Sequence, residues 1–137
     1  MSFTRRDLLR MAGAGIAVEV LGLPAAASDT DQERLIAASR RLLGGHCSAA
    51  AMGEAWLRAK AAPEQHLASL VAEVMRVARV HGADLSGGGG AMLEAYLHDR
   101  IERDFAEANV VTVDGWMLSH VEARLRGIAY LGAAAGI

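Results

Sequence analysis

The sequence has little of what disulfide-stabilised, nucleic-acid-binding or membrane-spanning proteins need. Its 137 residues include one Cys, two Trp, two Tyr and two Phe, so no internal disulfide can form and few aromatic side chains can stack on bases. Lys and Arg number 14 against 16 Asp and Glu, and the net charge of −2 provides no basic surface for nucleic acid. The apolar stretch at residues 11–23 contains Glu19 and is shorter than the roughly 20 residues that span a membrane. We therefore expect one small domain with an aliphatic core and no nucleic-acid partner.

Residues 1–27 have the three parts of an export signal: a charged start, a weakly apolar middle and an end of small residues. Two adjacent arginines followed by two leucines match the order and spacing of the twin-arginine translocation pattern. Small residues then occupy both positions that a signal peptidase reads. These signal residues are Arg5, Arg6, Leu8, Leu9, Ala25 and Ala27. We expect cleavage after Ala27 and a periplasmic location, and the alternative is a short amphipathic helix of a cytoplasmic protein.

Residues 28–137 are predicted to form a single helical domain. Apolar residues recur there at three- and four-residue steps, which is typical of helices with one buried face. The predicted helices cover 30–43, then 49–61 with Ser48 as N-cap, a third from Pro63 in its first turn to Gly82, a fourth from Ala91, and a last over 120–132. The fold class is therefore all-α, a small bundle of about four to five short helices.

The fourth predicted helix has an apolar side and a charged side. Leu93, Leu97, Ile101 and Phe105 are expected to face the core. The opposite face carries charges of both signs, which is typical of a solvated surface. These charged residues are Asp99, Arg100, Glu102, Arg103 and Glu107.

The chain changes character near residues 109–116. Four β-favouring residues precede the turn signal Asp114-Gly115, and they predict a short extended arm or one small hairpin. Ser119 and Glu122 have the spacing of a capping box, in which each side chain accepts a hydrogen bond from the backbone N–H of the other residue. The last helix is expected to fray from Gly132 onward.

Few residues have a spacing that indicates catalysis or metal binding. The five His are scattered, and Cys47, next to His46, has no second thiol near it. Cys47 is interpreted as a buried structural thiol or as the site of an intermolecular disulfide, and a nucleophile that acts with His46 and a remote acid is the third interpretation. The glycines at 87–90 lack the Lys-Ser/Thr of a phosphate-binding loop and indicate a flexible connector. We expect no cofactor of the chain's own.

Trp116, Met117 and Leu118 form an unusual apolar trio just before the last helix. If exposed, they provide a large and adaptable surface for a partner, whereas the alternative is that Trp116 packs over the end of the bundle. The trio belongs to the string Asp-Gly-Trp-x-Leu-Ser-x-x-Glu-Ala-Arg-Leu at residues 114–125. Together with the twin-arginine signal on a small helical chain, this string resembles the small accessory subunits of periplasmic flavoprotein sugar and alcohol dehydrogenases.

The resemblance implies that the chain assists an enzyme rather than being one. In those systems the small subunit carries the export signal and supports assembly of a large FAD-binding subunit, which passes electrons to a cytochrome c subunit or another acceptor. The leading hypothesis is therefore a non-catalytic subunit that escorts a folded, cofactor-loaded oxidoreductase through the twin-arginine translocase. A stand-alone periplasmic binding or structural module is the second hypothesis, and an enzyme built on Cys47 and His46 is the third.

Overall fold

The computed structural model describes residues 28–44, 47–85 and 88–137, without the side chains of residues 47, 48 and 63. Within these ranges the chain forms five α-helices, one 3₁₀ helix and one β-hairpin. The elements are, in order, α1 (Asp29–Leu42), α2 (Cys47–Arg58), the 3₁₀ helix (Ala62–Gln65), α3 (Leu67–Val80), α4 (Gly90–Ala106), β1 (Val110–Val113), β2 (Trp116–Ser119) and α5 (His120–Ala134). The prediction of a small, mostly helical bundle is confirmed, whereas the predicted export signal lies outside the described residues.

Helix α1 begins where a serine caps it. The Ser28 hydroxyl accepts a hydrogen bond from the backbone N–H of Asp31 at 3.2 Å, which satisfies one of the free donors of the first turn. Acidic residues lie in the first turn and basic residues in the last, as the helix dipole favours. Leu35 and Ile36 are buried in the core, as the apolar periodicity predicts.

Two predicted helix starts are wrong. Helix α2 begins at Cys47, so Ser48 lies inside the helix rather than at its N-cap. Pro63 belongs to the separate 3₁₀ helix, and α3 begins only at Leu67. His66 stands between them with an extended backbone, φ −98° and ψ 137°, which interrupts the run of helical hydrogen bonds.

The buried face of α4 also differs from the predicted one. Leu93 and Leu97 are buried, but Phe105 is 44% exposed, while Arg100 and Asp104 are 6% and 2% exposed. At about 100° per residue, positions 93, 97, 100 and 104 stay on one side of a helix, whereas position 105 lies about 120° away from position 93. The expectation that Arg100 belongs to a solvated face is therefore wrong.

A β-hairpin joins α4 to α5, which settles the choice between a hairpin and an extended arm. Strands β1 and β2 pair antiparallel, with Val113 opposite Trp116 and Val110 opposite Ser119. Strands of four residues are too short to be stable alone. The hairpin depends on its contacts with the helices, against which Val113 and Leu118 are buried.

Helix α5 is the centre of the bundle and packs against the other four described helices. Its Leu125 and Ile128 are fully buried. The helix continues through Gly132 to Ala134, which corrects the expectation of fraying from Gly132 onward. Gly132 is held against α1, where a Cβ at this position would lie 3.0 Å from the Ile36 side chain.

Helices α2 and α5 approach each other closely at Gly53. A Cβ on Gly53 would lie 2.2 Å from the carbonyl oxygen of Arg126 and 3.0 Å from the backbone nitrogen of Gly127. Both of these are backbone atoms, which cannot move aside as a flexible side chain can. Glycine is therefore required at position 53 by the helix crossing.

Candidate functional site

The hairpin presents two large apolar side chains to solvent. Trp116 is 63% exposed and Met117 is 61% exposed, and we call these two side chains the hairpin surface. Between the strands, Asp114 has φ 47° and Gly115 has φ 81°. Two successive residues in the left-handed region form a type I′ turn, whose twist fits a hairpin with a two-residue loop. The Asp-Gly pair thus places Trp116 and Met117 at the tip.

Leu118 is not part of the hairpin surface. It pairs with Val111 in the sheet, is 4% exposed and belongs to the hydrophobic core. The expected exposed trio of Trp116, Met117 and Leu118 is therefore reduced to two residues, because β2 packs against the bundle as it approaches α5. The alternative in which Trp116 packs over the end of the bundle does not match its exposure either.

The outer edge of β2 carries backbone groups that face away from its partner strand. The His120 N–H donates to the carbonyl of Asn109 at 3.2 Å, which makes this a hydrogen-bonded pair at the base of the hairpin. Hydrogen-bonded and non-hydrogen-bonded pairs alternate along an antiparallel ladder, so the N–H and C=O of Met117 point away from β1. A strand edge beside exposed apolar side chains is a surface to which an extended segment of another chain can bind.

The base of the hairpin is fixed by the buried carboxylate of Asp104. One of its oxygens accepts hydrogen bonds from Arg100 Nε at 2.9 Å and from Asn109 Nδ2 at 3.1 Å. The other accepts from the backbone N–H of Val121 at 3.2 Å. The end of α4, the residue before β1 and the first turn of α5 therefore meet at one side chain. We call this group the Asp104 network, and it holds the hairpin surface in place relative to the helices.

Arg100 is the cation of the Asp104 network, and it also donates to Glu107 at 2.7 Å. Burial by itself lowers the pKa of Arg100, but the hydrogen bonds to Asp104 and Glu107 outweigh this effect and raise the pKa above its ordinary value. Arg100 is therefore a permanently charged donor to the buried carboxylate. One turn earlier, burial raises the pKa of the Tyr96 hydroxyl, which has no hydrogen-bond partner in the described part of the chain.

Half of the predicted capping box forms at the start of α5. The Ser119 hydroxyl accepts a hydrogen bond from the Glu122 N–H at 2.9 Å, as predicted. The Glu122 carboxylate instead accepts from Arg126 at 2.7 Å, one turn further along the helix. Because Ser119 is both the last residue of β2 and the N-cap of α5, it fixes the point at which strand becomes helix.

A surface cavity of about 330 Å³ lies where α2, α3 and α5 meet, and we call it the Trp56 cavity. Its walls include Trp56, Lys60, Ser69 and Arg124. The Trp56 side chain is buried, and its indole N–H has no acceptor among the described residues. The Lys60 ammonium lies 5.0 Å from the centre of the Trp56 ring, within the range of a cation–π contact.

Glu64 also lines the Trp56 cavity, and Glu73 forms the acidic part of the wall on α3. Glu73 accepts hydrogen bonds from Arg76 at both carboxylate oxygens, each at 2.7 Å, and lies 3.7 Å from Arg124 of α5. The hydrogen bonds from Arg76 are the largest cause of a lowered Glu73 pKa; partial burial opposes them, and the positive charges of Arg76 and Arg124 add to the lowering. Glu73 is therefore an ionised group already engaged by a neighbour.

The other predicted site residues are placed as follows. Cys47 is the first residue of α2, and its intermolecular disulfide stays a prediction. Gly88 and Gly89 precede α4, and Gly90 is the first residue of that helix. Outside the described residues lie Arg5, Arg6, Leu8, Leu9, Ala25, Ala27, His46 and Gly87.

Sequence reasoning missed the Asp104 network and the Trp56 cavity. The signal for the first was the four-residue spacing of Arg100 and Asp104, which continues the stripe begun by the leucines of α4. Only the four-residue spacing of Trp56 and Lys60 indicated that these two side chains lie together. The rest of the Trp56 cavity could not be predicted, because its walls come from separate helices.

Within residues 28–44, 47–85 and 88–137, no three or more His, Cys, Asp and Glu side chains are grouped so that they could hold a metal ion. None of the helices in these ranges has the length and apolar character needed to cross a membrane. The described residues provide two candidate binding sites, the hairpin surface, which the Asp104 network holds, and the Trp56 cavity. Comparison with protein-family models, curated proteins and solved structures found no match to this chain.

Proposed function

We propose that this chain is a non-catalytic small subunit that escorts a cofactor-loaded periplasmic oxidoreductase, an FAD-dependent sugar or alcohol dehydrogenase, through twin-arginine export and supports its assembly. The observation that carries the proposal is the hairpin surface, where Trp116 and Met117 are exposed on a hairpin that Asp104 fixes to the bundle. Trp is enriched among the residues that dominate binding energy in interfaces, and Met adapts its shape to a partner.

The large flavoprotein subunit is the partner proposed for the hairpin surface. Single exposed apolar residues are ordinary, but here two adjacent ones lie beside a strand edge whose Met117 backbone groups point outward. Because successive side chains of a strand point to opposite faces, an extended segment of the large subunit that pairs with this edge would contact Trp116 on one face of the hairpin and Met117 on the other. FAD belongs to that subunit, the present chain has no cofactor of its own, and a cytochrome c subunit is the proposed electron acceptor.

Export is the part of the proposal that the sequence supports. Arg5 and Arg6 are read by the translocase, and Ala25 and Ala27 by the signal peptidase. A large subunit without a signal would travel as a folded passenger bound to this chain. Binding in the cytoplasm must therefore precede export.

Purification from the native organism tests the partnership. A C-terminally tagged chain is isolated gently from periplasmic extract, and its companions are identified by mass spectrometry and by flavin absorbance. We expect a stoichiometric large subunit that carries flavin. The double variant Trp116→Ala, Met117→Ala should lose it, whereas Met92→Ala, which removes an exposed Met from α4, should keep it. A colourless monomer from the unaltered chain would contradict the proposal.

Export is tested by the conservative double variant Arg5→Lys, Arg6→Lys. We expect both this chain and the large subunit to remain in the cytoplasm, because the translocase reads the arginine pair. Arg10→Lys, which changes an arginine outside the pair, is the matched control and should leave export intact. A large subunit that still reached the periplasm in the double variant would show that it needs no escort.

A stand-alone periplasmic binding or structural module is the alternative function. The Trp56 cavity favours it, since a cavity with polar and aromatic walls is where a small ligand binds. This alternative predicts a chain that purifies as a stable monomer without a companion.

A further inference from the structure

Two cations, Lys60 and Arg124, line the Trp56 cavity, and neither forms a short ion pair within the described part of the chain. Lys60 makes a cation–π contact but no ion pair with any described residue. Arg124 lies 3.7 Å from Glu73, whose oxygens already accept from Arg76 at 2.7 Å. An anionic acceptor is therefore the kind of group that Lys60 and Arg124 can bind in this cavity.

Helix α3 begins at the Trp56 cavity, and the N-terminus of this helix favours the binding of an anion there. Its N-cap residue, His66, makes no side-chain hydrogen bond to the helix. Ser69, in the first turn of α3, lines the cavity. Free N–H groups and the positive end of the helix dipole attract negative charge. Lys60, the first turn of α3 and Arg124 of α5 thus contribute positive or positively polarised groups to a cavity that Glu64 and Glu73 also line.

The charges of the wall fit a single negative charge. Two cations, Lys60 and Arg124, line the cavity together with two carboxylates, Glu64 and Glu73. Arg76, which lies outside the lining, neutralises Glu73 through its two hydrogen bonds and is counted with this group. One positive charge is left without a counterion in this group. A monoanion balances it, whereas a dianion would leave an excess of negative charge.

An adjoining cavity of about 250 Å³ shares Trp56 and Lys60 and is walled largely by apolar side chains of α2 and β1, among them Ala55 and Val113. The Trp56 cavity is at the lower end of ligand-site volumes, which typically start at about 300 Å³, and the adjoining cavity is below that range. We propose that the Trp56 cavity binds a monocarboxylate with a short alkyl chain, the carboxylate between Lys60 and Arg124 and the alkyl chain toward β1. This inference is independent of the proposed escort function, because it does not involve the hairpin surface.

Tryptophan fluorescence tests the proposal. The chain has two Trp, so Trp116→Phe leaves Trp56 as the reporter. Sodium hexanoate is titrated into the full chain with this substitution, sodium chloride at equal ionic strength is the control, and sodium phosphate is the second arm. We expect a saturable change in Trp56 fluorescence with hexanoate, none with chloride, and weaker binding of phosphate.

Two variants in the same background show whether the wall residues bind the carboxylate. Lys60→Met and Arg124→Gln should each weaken hexanoate binding about tenfold or more, because each removes a charge-assisted hydrogen bond. Arg79→Gln removes a positive charge from α3 outside the cavity wall and should bind hexanoate as well as its parent does. Circular dichroism checks that each variant is folded, and Lys60→Met alone suffices if Arg124→Gln does not fold.

Three results overturn the proposal. The first is a hexanoate titration that does not differ from the chloride control. The second is hexanoate affinity unchanged in both Lys60→Met and Arg124→Gln. The third is tighter binding of phosphate than of hexanoate, which would assign the cavity to free phosphate instead.

Discussion

The carboxylate of Asp104 accepts a hydrogen bond from the backbone N–H of Val121 at 3.2 Å and so joins the end of α4 to the first turn of α5. The hairpin lies between these two helices in the chain. Because Arg100 and Asn109 donate to the same carboxylate, the hairpin is closed at its base by one buried side chain. The position of Trp116 and Met117 relative to the bundle depends on this contact.

Asp104→Ala should lower the free energy of unfolding by about 3–5 kcal/mol, because it leaves the buried guanidinium of Arg100 without its buried carboxylate. Asp99→Ala is the matched control, since Asp99 pairs with Arg103 at 2.8 Å on the same helix and at the same spacing. Both of those side chains are more than half exposed, so the loss should be at most about 0.5 kcal/mol. Urea unfolding followed by circular dichroism measures the free energy of unfolding of both variants. Equal losses would show that the buried ion pair stabilises the protein no more than the exposed one.

Helix α4 shows what apolar periodicity can and cannot predict. The leucines at 93 and 97 predict the helix and the first half of its buried face. The second half consists of Arg100 and Asp104, which a hydropathy pattern assigns to solvent because each is charged. They are buried only because each neutralises the other and because Asn109 and Val121 supply donors from outside the helix. That information lies in the tertiary contacts.

The turn of the hairpin could be predicted from the sequence, but which of its side chains are buried could be predicted less well. Asp114 and Gly115 tolerate the left-handed backbone that the turn requires, so the turn follows from local sequence. Which side chains are exposed depends on where the helices lie, and for this reason Leu118 was placed wrongly at the surface beside Trp116 and Met117. The predictions for residues 1–27 and for Cys47 remain predictions.

The Gly53→Ala substitution should destabilise the protein by about 1–3 kcal/mol, although alanine ordinarily favours a helix. The added Cβ would lie 2.2 Å from the carbonyl oxygen of Arg126, so α2 and α5 would have to move apart. Gly90→Ala is the control, since its Cβ would make an ordinary contact of 3.5 Å with Arg41, and it should be neutral or stabilising by up to about 1 kcal/mol. Thermal unfolding compares the stabilities of the two variants. A Gly53→Ala variant as stable as the wild type would mean that α2 and α5 can accommodate a Cβ at their crossing.

Trp116→Ala and Met117→Ala should each change the free energy of unfolding by no more than about 0.5 kcal/mol, because both side chains are mostly exposed. Leu118→Ala should lose about 2–5 kcal/mol, because it empties a core position one residue further along the strand. Chemical unfolding of the isolated chain measures all three. A large loss for Trp116→Ala would show that this residue serves the fold rather than a partner.

Glu73→Gln should lower stability near neutral pH and lose its effect in acid. Arg76 holds the pKa of the folded Glu73 below its ordinary value of 4.5, so the ionised carboxylate stabilises the fold above that pH. As the pH falls through the lowered pKa, the carboxylate is protonated in the folded state and this contribution disappears. The difference should be at most about 1 kcal/mol, because half of the Arg76 side chain is exposed and solvent screens the pair.

Urea unfolding of the wild type and Glu73→Gln across a series of pH values from neutral to acid measures this difference. In an Arg76→Gln background the effect of Glu73→Gln should shrink, because the largest cause of the lowered pKa has been removed and only the weaker attraction of Arg124 remains. A difference that stayed constant from neutral pH into strong acid would mean that the substitution acts through packing at the cavity wall. A difference that grew in acid would reverse the sign expected for a carboxylate whose folded pKa is lowered.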